Sequence, residues 1–156
     1  MMNAIRYGLL FSLAIFLWLV AESSLGLHGQ YIRYHEYLSY FFAVPAVIIM
    51  YKGIRSGESS AQRSIPFGKG LLKGLGITAI VAVLCPLVRY VFCVYVNPTF
   101  LGNMAKYAVE VKAMSPTLAA SRFELTGYLV MSVFSTVVIG VVISLVMAVI
   151  LAARQR

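Results

Sequence analysis

The sequence predicts an all-α integral membrane protein with four transmembrane helices in a bundle. Three observations predict this class: 61% of the 156 residues are hydrophobic, 12% are charged, and the mean hydropathy is +0.88. Soluble domains average about 45–50% apolar and about 25% charged residues. A water-soluble core in so short a chain cannot bury this much apolar surface. We therefore expect one membrane domain over residues 1–156.

Four apolar stretches are long enough to cross a bilayer, for which a helix needs about 20 apolar residues. The predicted spans cover approximately residues 5–26, 37–54, 70–96 and 126–153. Pro45 lies in the second span and Pro86 in the third, where neighbouring groups can satisfy the backbone groups that proline frees. Cys85 and Cys93 lie eight residues apart in the third span, too far apart on a helix to form a disulfide, and we expect both to be buried packing residues.

The basic residues predict the orientation of the chain. Eight of them fall on one side of the predicted spans: Arg6, Lys52, Arg55, Arg63, Lys69, Lys73, Arg154 and Arg156. Four fall on the other side: Arg33, Lys106, Lys112 and Arg122. Because positive residues stay in the cytoplasm, we expect a multi-pass protein of a bacterial inner membrane with both termini cytoplasmic. Basic residues placed beside spans also argue against a nucleic-acid partner for the net charge of +8.

The connection between the third and fourth spans, residues 97–125, is expected to face the periplasm. Within it Phe100, Met104, Tyr107, Ala108 and Val111 recur at helical spacing. This pattern predicts an amphipathic helix on the periplasmic interface of the bilayer. A second short helical stretch is expected after the Ser-Pro pair that interrupts the pattern. Tyrosines expected to anchor the chain at this interface are Tyr90, Tyr95, Tyr107 and Tyr128.

Small residues recur at every fourth position in the last two spans, which places them on one face of each helix. These stripes are Gly70, Gly74, Thr78 and Ala82 in the third span and Ser132, Thr136, Gly140, Ser144 and Ala148 in the fourth. Small faces let helix backbones approach closely in lipid. The first interpretation is packing within the four-helix bundle, and the alternative is that one stripe forms a homo-oligomer.

A polar cluster is predicted in the outer half of the bilayer. Glu22 and Arg89 lie in the first and third spans at depths that differ by about one helical turn. His28, His35 and Glu36 follow in the outer 27–36 loop. Together with one neighbouring tyrosine, these residues form the candidate pocket for a ligand or ion: Glu22, His28, His35, Glu36, Arg89 and Tyr90.

Three interpretations of this cluster remain open. In the first, Glu22 and Arg89 pair to lock two helices together. In the second, the cluster is a pocket that binds a ligand or conducts an ion or proton, because such relays use Glu, His and Arg. In the third, Glu22, His28 and His35, with Glu36, are candidate metal ligands. Their spacing matches no established metal-binding motif, so the sequence assigns no metal and no cofactor.

Motifs of soluble enzymes are missing from the sequence. It contains no G-x-S-x-G, no phosphate-binding glycine loop, no H-E-x-x-H and no aspartate, and aspartate is a usual partner in magnesium and hydrolytic chemistry. The leading hypothesis is a non-enzymatic protein that binds or passes a small ligand or ion through an outward-facing polar pocket. The alternatives are an accessory subunit of a larger membrane complex and a lipid-acting enzyme that uses Glu22, His28 and His35.

A series of landmarks resembles a known family. They are Glu22, Leu25-Gly26-Leu27-His28, His35, Phe42-Ala43-Val44-Pro45-Ala46, Phe67-Gly68-Lys69-Gly70, Gly74, Pro86-Leu87-Val88-Arg89-Tyr90 and Asn97-Pro98-Thr99-Phe100. In this order between apolar spans they resemble the small bacterial membrane proteins of the "domain of unknown function 4199" family. The resemblance implies a four-span inner-membrane protein. It implies no activity, and family members often carry Gln where this chain has Arg89.

Overall fold

A computed structural model of the protein describes residues 2–59 and 64–153. Over these two ranges the chain is helical and contains no strand. A 3₁₀ turn, Tyr40–Phe42, connects the second and third helices, and a π-helical turn, Phe92–Val96, ends the fourth. The α-helices are α1 (Met2–Ser24), α2 (Ile32–Ser39), α3 (Ala43–Arg55), α4 (Phe67–Val91), α5 (Phe100–Glu110), α6 (Pro116–Phe123) and α7 (Leu125–Ala153).

Four helical segments of the described chain are long and apolar enough to cross a membrane: Met2–Ser24, Ile32–Arg55, Phe67–Val96 and Leu125–Ala153. The all-α fold with four spans is therefore confirmed. α5 and α6 lie between the third and fourth spans, where the sequence predicted an amphipathic helix and a second short one. Three basic residues used for the orientation, Arg63, Arg154 and Arg156, lie outside the described residues.

The second span consists of two helices because Pro45 is the third residue of α3. Proline has no backbone N–H and cannot donate to the carbonyl four residues earlier. That carbonyl belongs to Phe41, which lies in the 3₁₀ turn. α2 begins at Ile32, so His35 and Glu36 lie in a helix and their assignment to a 27–36 loop is wrong. Polar side chains lower the hydropathy of this segment without interrupting its backbone hydrogen bonds.

The most extensive helix pairing joins α4 to α7, and the two small-residue stripes face each other there. A Cβ atom added to Gly74 would lie 2.7 Å from the Cβ of Ser144, and one added to Gly140 would lie 2.4 Å from the Cγ2 of Thr78. The hydroxyl of Thr78 donates to the carbonyl of Gly74, and that of Ser144 to the carbonyl of Gly140. The stripes are therefore covered within one chain.

The opposite end of the bundle from Glu22 is held by an ion-pair cluster around Glu58, which follows α3. The Glu58 carboxylate lies 2.5 Å from Nζ of Lys73 and 2.9 Å from Nζ of Lys69. Lys73 also donates to the backbone carbonyls of Ile54 and Ser56. The cluster thus ties the end of α3 to the first turns of α4. Hydrogen bonds from Lys73 and then Lys69 hold the pKa of Glu58 below its ordinary value of 4.5.

We predict that Gly140→Leu destabilises the bundle, because its side chain would occupy the space of Thr78. Overpacking of this kind costs about 1–3 kcal/mol. Thermal unfolding of the purified protein in detergent measures the effect. Gly68→Leu is the matched control, since a Cβ at Gly68 meets nothing within 4 Å. Equal unfolding midpoints for the two variants would show that Gly140 does not set the spacing of α4 and α7.

We also predict that the contribution of Glu58 to stability depends on pH. Because folding lowers the pKa of Glu58, its contribution is present above about pH 4.5 and is lost as the pH falls below that value through the lower folded-state pKa. Glu58→Gln should therefore lower the unfolding midpoint slightly near neutral pH, and the difference from the unmodified protein should vanish in acid. Glu124→Gln, at an exposed residue, is the control. A difference that persists unchanged below pH 4 would contradict the prediction.

Candidate functional site

A cavity of about 430 Å³ lies inside the bundle, between α1, α3, α4 and α7. Most of its wall is apolar, and the polar side chains gather near the ends of α1 and α2. The apolar part includes Phe11, Ile15, Ala46, Met50, Val81 and Ile139. The polar end includes Trp18, Glu22, His35, Ser39, Arg89 and Tyr128. A site with a large apolar wall and a few convergent polar groups is typical of small-molecule binding.

The turn after α1 places His28 back over Glu22. Gly26 has a φ of +74°, a left-handed conformation that glycine adopts without steric cost. The backbone N–H of Leu27 donates to the carbonyl of Glu22, and that of Gly26 donates to the carbonyl of Ser23. These two bonds form a Schellman motif, in which glycine ends the helix and a hydrophobic residue follows. Leu27 is buried, and the chain reverses so that the next side chain points into the bundle.

Glu22 is a carboxylate buried in the first span, with 3% of its surface exposed. Its Oε1 accepts hydrogen bonds from Nε1 of Trp18 at 2.7 Å and from Oγ of Ser39 at 2.5 Å. Its Oε2 faces two imidazoles, 3.4 Å from Nε2 of His28 and 3.7 Å from Nδ1 of His35. Each carboxylate oxygen therefore has its own set of neighbours, and donors hold one oxygen in place.

α2 supplies two of the groups that meet Glu22. His35 and Ser39 lie four residues apart and so share one face of the helix. Oγ of Ser39 lies 3.3 Å from Nδ1 of His35 and donates to Glu22. The short helix before the proline-induced turn thus aims a hydroxyl and an imidazole at the end of α1.

Aromatic rings enclose His28, which is 2% exposed. Its ring centroid lies 4.5 Å from that of Phe100, 5.3 Å from that of Phe92 and 4.9 Å from that of His35. Nδ2 of Asn103 in α5 donates to the backbone carbonyl of His28 at 2.8 Å. Neither ring nitrogen of His28 makes a hydrogen bond to any part of the described chain.

Two segments position this aromatic cover. Phe92 begins the π-helical turn at the end of α4, and π-helical turns are frequent at functional sites. Phe100 is the first residue of α5 and is also buried. α5 therefore closes the end of the bundle over Glu22, His28, His35 and Ser39, which we call the Glu22 cluster.

Arg89 lies at the same end of the cavity but does not pair with Glu22. Its Nη1 donates to the hydroxyl of Tyr128, and its Nε lies 3.4 Å from Sγ of Cys85. Cys85 and Cys93 are both buried and free, as the sequence predicted. Within the described residues, 2–59 and 64–153, no carboxylate lies within ion-pair distance of Arg89. A direct Glu22–Arg89 ion pair, the first of the three open interpretations, is therefore not formed, because Glu22 turns toward α2 and Arg89 toward α7.

Two residues of the sequence-predicted pocket, Glu36 and Tyr90, lie on the outer surface of the protein. Glu36 is on the exposed side of α2 and pairs with Lys112. Tyr90 is exposed and packs edge to face on Tyr95. Each follows directly after a residue that does line the cavity, and successive residues on a helix point in different directions. Of the other four predicted residues, Glu22, His35 and Arg89 line the cavity, and His28 is buried against Glu22 without lining it.

Sequence reasoning missed several polar groups of the site. Trp18 lies four residues before Glu22, and Ser39 lies four residues after His35, so helical spacing was a usable signal for both. Tyr128 was assigned to the membrane interface, but its hydroxyl meets Arg89 inside the bundle. No local signal relates Tyr128 to Arg89, because the two are 39 residues apart in sequence.

Comparisons with known proteins identify one family. Residues 6–152 match the family described as "Protein of unknown function (DUF4199)". No curated protein and no solved structure matches the chain. The match includes all of the cavity-lining residues named above.

We predict that Glu22→Gln destabilises the protein, because an amide oxygen accepts from Trp18 and Ser39 without the negative charge that strengthens both hydrogen bonds. Hydrogen bonds to charged groups contribute about 1.5–3 kcal/mol. Thermal unfolding in detergent measures the loss. The control is Glu36→Gln, the same change at an exposed residue close to the cavity. A loss of stability no larger in Glu22→Gln than in Glu36→Gln would show that the buried carboxylate has no structural role.

Proposed function

The chain belongs to the DUF4199 family of proteins of unknown function, and from its cavity we propose that it binds a small amphiphilic molecule with an anionic head group. The head group would contact Arg89 at the polar end, and the apolar tail would lie between α3 and α7. This is the ligand-binding role that the sequence favoured, with the ligand class now specified.

The observation that carries this proposal is that Arg89 has no carboxylate partner within the described residues. A charged group at membrane depth is costly unless it is paired, and the partners of Arg89 within the described residues are a phenol and a thiol. Neither is a carboxylate. Guanidinium groups bind carboxylates and phosphates through paired hydrogen bonds. An anionic ligand in the cavity would complete the charge balance of Arg89.

The apolar part of the cavity supports a tail rather than a fully polar ligand. Ala46 and Met50 of α3 line it on one side, and Ile139 of α7 lines it on the other. Ile139 is 57% exposed, and Ala43 and Ser135, which also line the cavity, are exposed as well. The cavity therefore opens between two transmembrane helices. A ligand could enter it from the bilayer without crossing water.

We also propose the location and orientation that the charge distribution favours. The protein would lie in a bacterial inner membrane, with both termini and the Glu58 end in the cytoplasm. The Glu58 end carries Lys52, Arg55, Lys69 and Lys73, in agreement with the retention of positive residues in the cytoplasm. The Glu22 cluster and α5 would then face the periplasm.

The small-residue stripes do not support a homo-oligomer that forms through these faces. Gly74 and Gly140 are covered by side chains of the partner helix within one chain. A homo-oligomer or a larger complex would have to use other faces of the helices. No contact within the described residues supports the accessory-subunit hypothesis.

The test uses Trp18, the only tryptophan in the sequence, because it lines the cavity. The protein is placed in nanodiscs of unbrominated lipid and titrated with a brominated fatty acid, which quenches tryptophan at contact distance. We expect saturable quenching that is stronger than with the brominated fatty alcohol of the same chain length. Quenching that does not saturate, or that is equal for acid and alcohol, would contradict the proposal.

Two variants separate the contributions of head and tail. Arg89→Gln should weaken binding of the acid about 10–150-fold, given that charge-assisted hydrogen bonds contribute about 1.5–3 kcal/mol, and should leave the alcohol unaffected. Ala46→Phe fills the cavity and should weaken both. Val47→Phe, at the next residue and on the exposed surface of α3, is the control and should bind like the unmodified protein. An unchanged affinity of the acid in both Arg89→Gln and Ala46→Phe would exclude the cavity as its site.

A further inference from the structure

We infer that Glu22, His28 and His35 form a binding site for a divalent transition-metal ion, with Zn²⁺ as the best chemical match. This site is separate from the proposed amphiphile contact at Arg89 and does not depend on it. From the sequence alone a metal site was one of three open interpretations, and the spacing of the three residues follows no known motif. The fold brings them together from the end of α1, the following turn and α2.

The first argument is geometric. The three candidate ligand atoms all lie within 4.8 Å of one another. Oε2 of Glu22 is 3.4 Å from Nε2 of His28 and 3.7 Å from Nδ1 of His35. Tetrahedral zinc with bonds of about 2.0–2.2 Å holds its ligand atoms about 3.3–3.6 Å apart. Small rotations of the two rings would therefore bring all three atoms to bonding distance of one ion.

The second argument is the state of His28. The residue is 2% exposed, and neither of its ring nitrogens makes a hydrogen bond to the described residues. Buried polar groups are nearly always hydrogen-bonded, and one that is not requires an explanation. Nε2 of His28 nevertheless lies beside the Glu22 carboxylate. A metal ion between them would accept the lone pair of this nitrogen.

The third argument is the support given to the carboxylate. Trp18 and Ser39 donate to Oε1 of Glu22, whereas the two imidazoles face Oε2. Hydrogen bonds that orient a ligand through its other atom are a regular feature of metal sites. Oε2 is thereby left to face the two imidazole nitrogens, and Oε1 is fixed by donors that a metal would not displace.

The ligand set selects the class of ion. Two imidazoles and one carboxylate suit zinc and related transition metals, whereas Ca²⁺ and Mg²⁺ prefer oxygen ligands alone. Three protein ligands leave one position of a tetrahedral ion open, as in catalytic zinc sites. Because Glu22 and His35 line the cavity, an ion held by them would border it. The open position would be available to a molecule in the cavity.

The experiment is a metal titration of the full-length protein. Chelator-treated protein, purified through a tag without histidine, is titrated with ZnCl₂ by calorimetry and with CoCl₂ by visible absorption. We expect one ion per chain, the absorption bands of tetrahedral Co²⁺ and their loss on adding Zn²⁺. The inference would be overturned if excess MgCl₂ or CaCl₂ abolished the binding, or if the Co²⁺ spectrum were of the octahedral type.

The variants test each part of the site. His35→Gln removes a ligand on a partly exposed residue and should abolish stoichiometric binding, and Ser39→Ala should weaken it about 10–100-fold, as is typical when a supporting group is removed. Glu36→Gln, whose side chain pairs with Lys112 outside the cavity, should bind normally. Equal affinity in the unmodified protein and His35→Gln would overturn the site, provided that both unfold at similar temperatures without metal.

Failure of the metal site and failure of the amphiphile proposal are distinguishable. The brominated fatty acid titration is performed on the same metal-free protein. Saturable quenching without stoichiometric Zn²⁺ binding would overturn the metal site alone. Stoichiometric Zn²⁺ binding that His35→Gln abolishes, without saturable quenching, would support the metal site and overturn the proposed amphiphile.

Discussion

The close approach of α4 and α7 is the constraint on which the rest of the bundle depends. In lipid, helices associate through van der Waals contact and hydrogen bonds rather than through the hydrophobic effect, so the faces with the smallest side chains can come closest. Gly74 meets Ser144 and Gly140 meets Thr78 along this seam. α4 also packs against α1 and α3, whereas α7 contacts α3 little. The cavity lies where α3 and α7 are not held together.

The cost of burying charge explains how the polar end of the cavity is organised. Glu22 and Arg89 lie at similar depth, and pairing them directly would have been the simplest arrangement. Instead, Glu22 accepts from Trp18 and Ser39, and Arg89 donates to Tyr128. Within the described residues Arg89 is thereby left without a carboxylate partner. A charged group without a counter-charge is expensive in a membrane.

The sequence predicted the transmembrane helices more completely than it predicted the site. Four spans follow from apolar composition, since the bilayer requires long apolar helices and leaves few alternatives. The apolar pattern did not reveal that α2 begins at Ile32, because polar residues on a short amphipathic helix resemble a loop in hydropathy. For the same reason the sequence placed His35 in a loop and Ser39 in the second span, so the two residues were not related to each other. Helical spacing relates those two residues once the segment is known to be helical.

The sequence by itself determined the class of the protein, its four apolar helices and the small-residue faces, because these depend on composition and local periodicity. It also determined which residue types carry chemistry. Only the tertiary structure decided which of them meet: His28 joins Glu22 through a glycine-terminated turn, Arg89 meets Tyr128 rather than Glu22, and Glu36 faces outward. Such contacts depend on the rotation and approach of whole helices, which packing across the bundle sets and no local pattern encodes.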